Sequence, residues 1–191
     1  VINGVPVGPS QASFDTASSA NQASSGISKA EAINKVSDRT GVTAEVNSTI
    51  VNGGTITDGT AQSGNVTING VIINIAYSSN DTATDIQNTV ISAVNNKAGQ
   101  TGVSAEAFGS EFRLIAEDGR NIDITALTTI TNSGFLNGLT QSSLALKSAG
   151  KIELSSITGN IQQSGFDVGN YRASDKGQLI KDIDISTAEG A

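Results

Sequence analysis

The phrase "GVTAEV" at Gly41–Val46 returns almost unchanged as "GVSAEA" at Gly102–Ala107, and each copy stands a few dozen residues after an Ile-Asn-Gly. A duplicated phrase at a similar distance from a duplicated turn implies that the chain builds one supersecondary unit twice. From Gly4 to Gly41 is 37 positions and from Gly70 to Gly102 is 32, so the units differ mainly in the connection before or within the element between these landmarks. Two copies are too few for a solenoid, which needs three or more repeats to bury a continuous core.

The second copy is the clearer one. Val66-Thr67-Ile68 and Val71-Ile72-Ile73-Asn74-Ile75 flank Asn69-Gly70, and Asn-Gly accepts the two positive φ values of a type I′ turn, which predicts a tight hairpin. Asp81 then reads as the cap of a helix over Thr82 to Lys97, with Asp85 in its first turns, Lys97 in its last and Gly99 as its left-handed stop. Ala83, Ile86, Val90, Ala93 and Val94 recur at three- and four-residue spacing and form the stripe that lies on a sheet. Val103, Ala105 and Ala107 alternate with polar residues, the period of a half-buried strand. Phe112, Leu114 and Ala116, an Asp118-Gly119 turn, then Ile122 and Ile124 predict a second hairpin.

The first copy keeps that order. Ile2-Asn3-Gly4-Val5 is followed by a polar loop and by Ser28-Lys29-Ala30-Glu31, which has the spacing of a capping box. Ala30, Ile33 and Val36 give the helix its apolar face, Arg39 sits near its end, Gly41 stops it, and Val42, Ala44 and Val46 begin a strand. A further β segment, Lys151 to Ile161, resembles Glu111 to Ile122 and reads as the displaced hairpin of the first unit. In Asp182–Ala191, Ile183 and Ile185 alternate like a strand before Ser186-Thr187-Ala188-Glu189, a capping box at the mouth of a further helix.

The expected fold class is therefore α+β: two small related units, each with β-hairpins and one amphipathic helix packed on an antiparallel sheet. Residues 1–54 with 141–181 are expected to form a discontinuous proximal domain, 55–140 an inserted distal one, and 182–191 a junction toward a helix. The opening Val1-Ile2-Asn3-Gly4 reads as a piece of a longer protein.

Composition narrows the chemistry. Only 4% of residues are aromatic, so burial rests on Val, Ile, Leu and Ala, and the cores are expected to be thin. A net charge of −7 repels phosphate backbones and anionic headgroups, and the 11 Lys and Arg are scattered, so neither nucleic acid nor membrane is an expected partner. No apolar run approaches the roughly 20 residues that cross a bilayer. With no Cys and no His, disulfides, thiolate metal sites, Ser-His-Asp and Cys-His triads and most zinc sites are excluded.

The remaining candidates read as structural. Ser148-Ala149-Gly150-Lys151 fits S-x-x-K, but that chemistry needs a helix start at the Ser and a neutral lysine; here the lysine begins a strand, and a solvated loop is expected. Asp182 and Asp184 share a strand face and could chelate a cation, yet the other oxygen ligands of an EF-hand do not follow. Asp81 with Asp85, and Glu117 with Asp118, read as helix-end and turn acids. The sequons at Asn47, Asn65 and Asn80 are the chance matches of a chain rich in Asn, Ser and Thr. Phe108, Phe112, Phe135, Phe166 and Tyr171 read as core or rim residues rather than as a sugar-binding platform. No catalytic, cofactor or metal residue is expected.

The succession of "ING", helix and "TGVTAEV" or "TGVSAEA" resembles the flagellin IN motif of the outer domains of bacterial flagellins and some hook-associated proteins, and "DIDISTAEGA" resembles the junction where flagellin returns to its C-terminal rod helices. The resemblance covers most of the chain; 47–65 and 128–150 carry no motif, and the heptad-rich rod helices are lacking. It implies a structural, non-enzymatic, surface-exposed part of the flagellar filament, extracellular and monomeric by itself, whose flagellin neighbours are met mainly through the rods. It also implies export as an unfolded chain, O-linked glycans on exposed Ser or Thr, and inner ends, Val1 and Ala191, that lie close together. Alternatives are the outer domain of a hook-associated or filament-cap protein and a carbohydrate-binding surface adhesin module.

Overall fold

A computed structural model describes residues 1–58, 61–126, 130, 133–157, 159 and 161–172. The protein is mixed α+β with antiparallel sheets. Its strands are β1 (Val42–Val46), β2 (Thr49–Asn52), β3 (Gln62–Ile68), β4 (Val71–Tyr77), β5 (Ser104–Phe108), β6 (Glu111–Ala116), β7 (Ile122–Ala126), β8 (Gly138–Thr140), β9 (Leu144–Ser148), β10 (Ile152–Leu154) and β11 (Gly169–Tyr171). The helices are α1 (Gly26–Asn34), α2 (Ser37–Thr40), α3 (Ala83–Asn95) and α4 (Ala98–Thr101).

The Asn-Gly pairs of both Ile-Asn-Gly words form the expected turn. Asn3 and Gly4 take φ values of 48° and 77°, and Asn69 and Gly70 take 51° and 81°. Around the second, β3 and β4 pair from Gln62↔Tyr77 to Ile68↔Val71; around the first, pairing is limited to the bridge Ile2↔Val5. Pro6 and Pro9 follow that turn, and a chain without those two N–H groups cannot extend the ladder.

Helix boundaries differ from expectation for identifiable reasons. Thr82, not Asp81, caps α3, in a reciprocal box with Asp85. Asp81 instead accepts from the backbone N–H and the hydroxyl of Ser78, at 2.8 Å each, and closes the preceding turn. The helix ends at Asn95, short of Lys97; α4 follows, and the left-handed residue is Gly102 (φ 70°), not Gly99. In the first unit the cap is Ser25, three residues before the expected Ser28. Ser28 is buried and gives its hydroxyl to the Gln11 carbonyl at 2.9 Å. That tie, which holds the long polar loop against the helix, replaces the expected pairing of Ser28 with Glu31.

The expected second hairpin is also corrected. β6 lies between β2 and β5, whereas β7 lies between β3 and β8, so the chain arches from one sheet to the other at Glu117–Asn121. The phases of the two segments are right, since Phe112, Leu114, Ala116, Ile122 and Ile124 are all buried; period-2 alternation fixes which face is inward but not which strand is the neighbour. Likewise, in the first unit β9 pairs with β1 from Val42↔Ser148 to Val46↔Leu144, as β6 pairs with β5. Lys151 to Ile161 thus contributes the counterpart of β7, and the counterpart of β6 lies before it, at Leu144–Ser148.

Two cores result. One gathers Ile2, Ala30, Ile33, Val42, Ala44 and Leu154, with Leu144, Leu146 and Phe166 against it. The larger gathers Ile86, Val90 and Val94 of α3 with apolar residues of β3 to β7. Each fully buried Val, Ile, Leu or Phe contributes about 1.5–3 kcal/mol by leaving water. β2, which the expected division leaves on the proximal side, hydrogen-bonds to β6 of the second unit. Asp182, Asp184, the segment 182–191 and the position of Ala191 relative to Val1 lie outside the described residues.

Candidate functional site

The repeated words are the places where the two units are sewn together, each within itself. In the second unit, the Asn69 side chain donates to the Thr101 carbonyl at 3.0 Å and accepts from the Asp123 N–H at 2.9 Å. In the first, Asn3 donates to the Thr40 carbonyl at 2.7 Å and accepts from the Glu153 N–H at 2.7 Å. Each turn asparagine thereby joins the end of a helical turn to a returning strand. The left-handed backbone at that asparagine swings its amide toward both, and Asn tolerates that conformation better than other L-residues with a carboxamide reach.

The second word adds two more ties. Thr101 Oγ1 accepts from Val103 N–H at 3.0 Å, and Thr40 Oγ1 accepts from Val42 N–H at 3.1 Å. Ten residues before the first alanine of each phrase stands an asparagine, Asn34 or Asn95, whose amide completes the backbone of Ala44 or Ala105. Their signal was in the sequence as a shared spacing, but a lone asparagine in a helix carries no local mark of such a bond.

Between the units lies a second polar network. The arch Glu117–Asn121 is gripped on one side by the linker after β1 and the first residue of β2: Ser48 donates to the Glu117 carboxylate at 3.1 Å, and Thr49 donates to the Arg120 carbonyl at 2.7 Å. On the other side, Asn121 N–H donates to Ser18 Oγ at 2.8 Å, and its amide donates to the Ala20 carbonyl at 2.9 Å. Ser18 is in turn held by Asp15, whose Oδ1 accepts from the N–H groups of Ala17 and Ser18 at 2.9 Å each. Burial pulls the Asp15 carboxyl up, but the neighbouring Ser18 and Ser25 hydroxyls and the backbone N–H groups of Ser18 and Ala17 outweigh it and hold the group below its ordinary value. Asp118 shows the same balance: burial raises it, and the ion pair and hydrogen bonds with Arg120 lower it further. The contacts that grip the arch are not visible in the sequence, since their partners stand 69 to 103 residues apart.

Among the described residues the chemical candidates are not brought together. Ser148 donates to the Gly41 carbonyl at 2.9 Å and accepts from Gly150 N–H, while Lys151 pairs with Glu153 at 2.8 Å. Among the described residues no group of three or more His, Cys, Asp or Glu could hold a metal, and no helix is long and apolar enough to cross a membrane. Asp85 is exposed and held below its ordinary value by Thr82. The aromatics are dispersed: Phe112 is buried and packs on Phe135 at 5.0 Å, Phe166 belongs to the other core, and Phe108 and Tyr171 are exposed. Arg113 covers the Phe108 ring at 5.2 Å. Asn47 and Asn80 are exposed, with Asn47 donating to Ser143 at 2.9 Å.

The first unit carries an apolar groove of about 470 Å³ whose lining includes Val1, Val7, Ala32, Ile33, Leu154 and Ile157. It is open on one side, and among the described residues its lining carries one charged side chain, Lys29. No protein-family model matches the chain, and no curated protein sequence is significantly similar to it.

Proposed function

We propose that this chain is the surface-exposed outer part of a bacterial flagellin, an extracellular structural element of the flagellar filament that supports motility without catalysis. The observation that carries the reading is the duplicated stitch: the words that resemble the IN motif are the ones whose side chains tie turn, helix end and strand together in both units. Polar side chains that spend their hydrogen bonds on their own backbone build a passive cladding and leave few groups aimed outward at a substrate. The junction network acts in the same sense, holding the second unit on the first.

In this reading neighbouring flagellin subunits meet chiefly through rod helices, and O-linked sugars are carried on exposed Ser or Thr. Antibodies raised against the 191-residue chain test it by immunogold electron microscopy of intact motile cells of the source organism. Labelling along the length of the filament is expected. Labelling restricted to the cell body, to the filament base or to its tip overturns the assignment, the last two in favour of a hook-associated or cap protein.

A further inference from the structure

The sheets of this protein end in edges, and the edges are not treated alike. β5 is closed along its outer side where Asn95 takes both backbone groups of Ala105, and Asn34 closes β1 in the same way at Ala44. β2, β8, β10 and β11 are three or four residues long, and β9 carries Lys147. Shortness, charge and a covering group are the usual guards against pairing with another chain. β4 has none of them: Val71–Tyr77 is seven residues without a charge, a proline or a glycine, and among the described residues β3 is its only ladder partner.

The hairpin register fixes which backbone groups that edge presents. Asn69-Gly70 is a two-residue turn closed by Ile68↔Val71, so the pairs that exchange bonds with β3 fall at Val71, Ile73, Ile75 and Tyr77. The N–H and C=O groups of Ile72, Asn74 and Ala76 point the other way, and all three residues are exposed, Ile72 by 51%. Beside them an open groove of about 600 Å³ separates Ile73–Ala76 from Asn88 and Ser92 of α3 and from Asn96 at its end. The helix thus stands back from the edge, and short side chains face the space where another strand would lie.

We propose that β4 is a homotypic docking edge: two copies of this chain pair β4 with β4, antiparallel about a twofold axis at Asn74. The strand is its own complement in that register. Asn74 is its central residue, so Asn74 faces Asn74, and Ile72 of each copy faces Ala76 of the other. All of these positions carry outward backbone groups, so each pair exchanges both of its N–H donors; a shift by one residue would set outward groups against inward ones. On the exposed face the apolar Ile72 and Ala76 side chains cover each other, and the two carboxamides meet at the axis. A twofold contact of this kind uses one surface twice and stops at two copies. The pairing stands apart from the filament reading, which implies a monomer for the chain by itself.

The test is sedimentation equilibrium of the 191-residue chain over a concentration series, with amide exchange as the residue-level readout. A monomer–dimer equilibrium is expected. Raising the concentration should slow exchange at Ile72, Asn74 and Ala76 but not at Ile73 and Ile75, whose N–H groups are already in the ladder with β3. Asn74→Lys sets two ammonium groups against each other at the axis and should weaken the dimer about tenfold or more. At an exposed site it should leave the monomer's melting temperature nearly unchanged. An equimolar mixture of Asn74→Lys and Asn74→Glu should associate again, which pairing through any other surface would not reproduce. A chain that stays monomeric at millimolar concentration would overturn the proposal, as would a dimer that Asn74→Lys leaves intact or charge-swapped variants that do not pair.

Discussion

Asn34 and Ala44 are joined twice: the asparagine Oδ1 accepts from the alanine N–H at 2.7 Å, and Nδ2 donates to its carbonyl at 3.0 Å. Asn95 and Ala105 repeat the pair at 2.8 and 2.9 Å, over the same separation of ten residues. A carboxamide is the one short side chain that offers a donor and an acceptor side by side, so it can stand in for a neighbouring strand at the edge where helix meets sheet. Truncation leaves two partly buried backbone groups without these partners. Asn34→Ala and Asn95→Ala should each destabilise their unit by about 1–3 kcal/mol in urea titrations. Asn34→Asp keeps the acceptor but sets a carboxylate oxygen against the Ala44 carbonyl, which raises that carboxyl's pKa. Relative to the parent, the variant should then be least impaired in acid and fall further behind as pH rises through its folded value. A flat profile would show that the second bond contributes nothing.

The two turn asparagines should not be equal. Asn69 is buried and ties Thr101 to Asp123, whereas Asn3 is half exposed and its bond to Glu153 lies at the surface. Replacement by Ala should cost more at Asn69, about 2–3 kcal/mol against roughly 1 at Asn3, because water replaces lost partners only where it can reach. Parallel denaturation curves of the two variants measure the difference; equal losses would contradict it.

Gly119 tests the junction. Its φ is 75°, and a Cβ there would meet Val46 Cγ1 at 2.2 Å and the Asn47 carbonyl at 2.9 Å. A Gly119→Ala substitution must open the clamp on the arch, and a loss of about 2–4 kcal/mol is expected from strain and displaced packing together. Faster exchange of the Asn121 amide, which Ser18 protects, should report the opening directly. Unchanged exchange would mean that the linker, not the junction, absorbs the change.

The acid limb of stability should carry the signature of Asp15 and Asp118. Both are held below their ordinary value of 3.8 in the folded protein, so their contribution is present above that pH and is lost as pH falls through the lower folded values. With no histidine in the chain, the melting temperature should be nearly level from about pH 5 to 8 and drop below about pH 4. Asp15→Asn should lower it at neutral pH and converge with the parent in acid. Curves that stay parallel through pH 2 to 6 would remove Asp15 from the account.

Core positions separate the aromatic roles. Phe112→Ala should cost about 3–5 kcal/mol because it leaves a cavity beneath Phe135, whereas Phe108→Ala, at an exposed site, should cost under about 1 kcal/mol. A glycan array probed with the whole protein should stay blank and remain so in the Phe108 and Tyr171 variants. Binding abolished by either substitution would favour the adhesin alternative.

Local chemistry made much of this protein legible in its sequence. Asn-Gly between two apolar segments permits its turn by the φ values it tolerates, as at Asn69-Gly70, the spacing of Ile86, Val90 and Val94 dictates a helix face, and alternation at Phe112, Leu114 and Ala116 dictates which side of a strand is dry. These are short-range effects, settled within a few residues. The caps at Ser25 and Thr82 were harder, because neighbouring hydroxyls and carboxylates compete for the same N–H groups and the loop held by Ser28 broke the tie in one case. What only the tertiary structure decided is pairing across distance: that β6 and β7 enter different sheets, that Leu144–Ser148 completes the first unit, and that Ser18 and Asn121 meet. A strand's pattern records that it has a buried face. Which partner supplies its ladder depends on where the rest of the chain has packed.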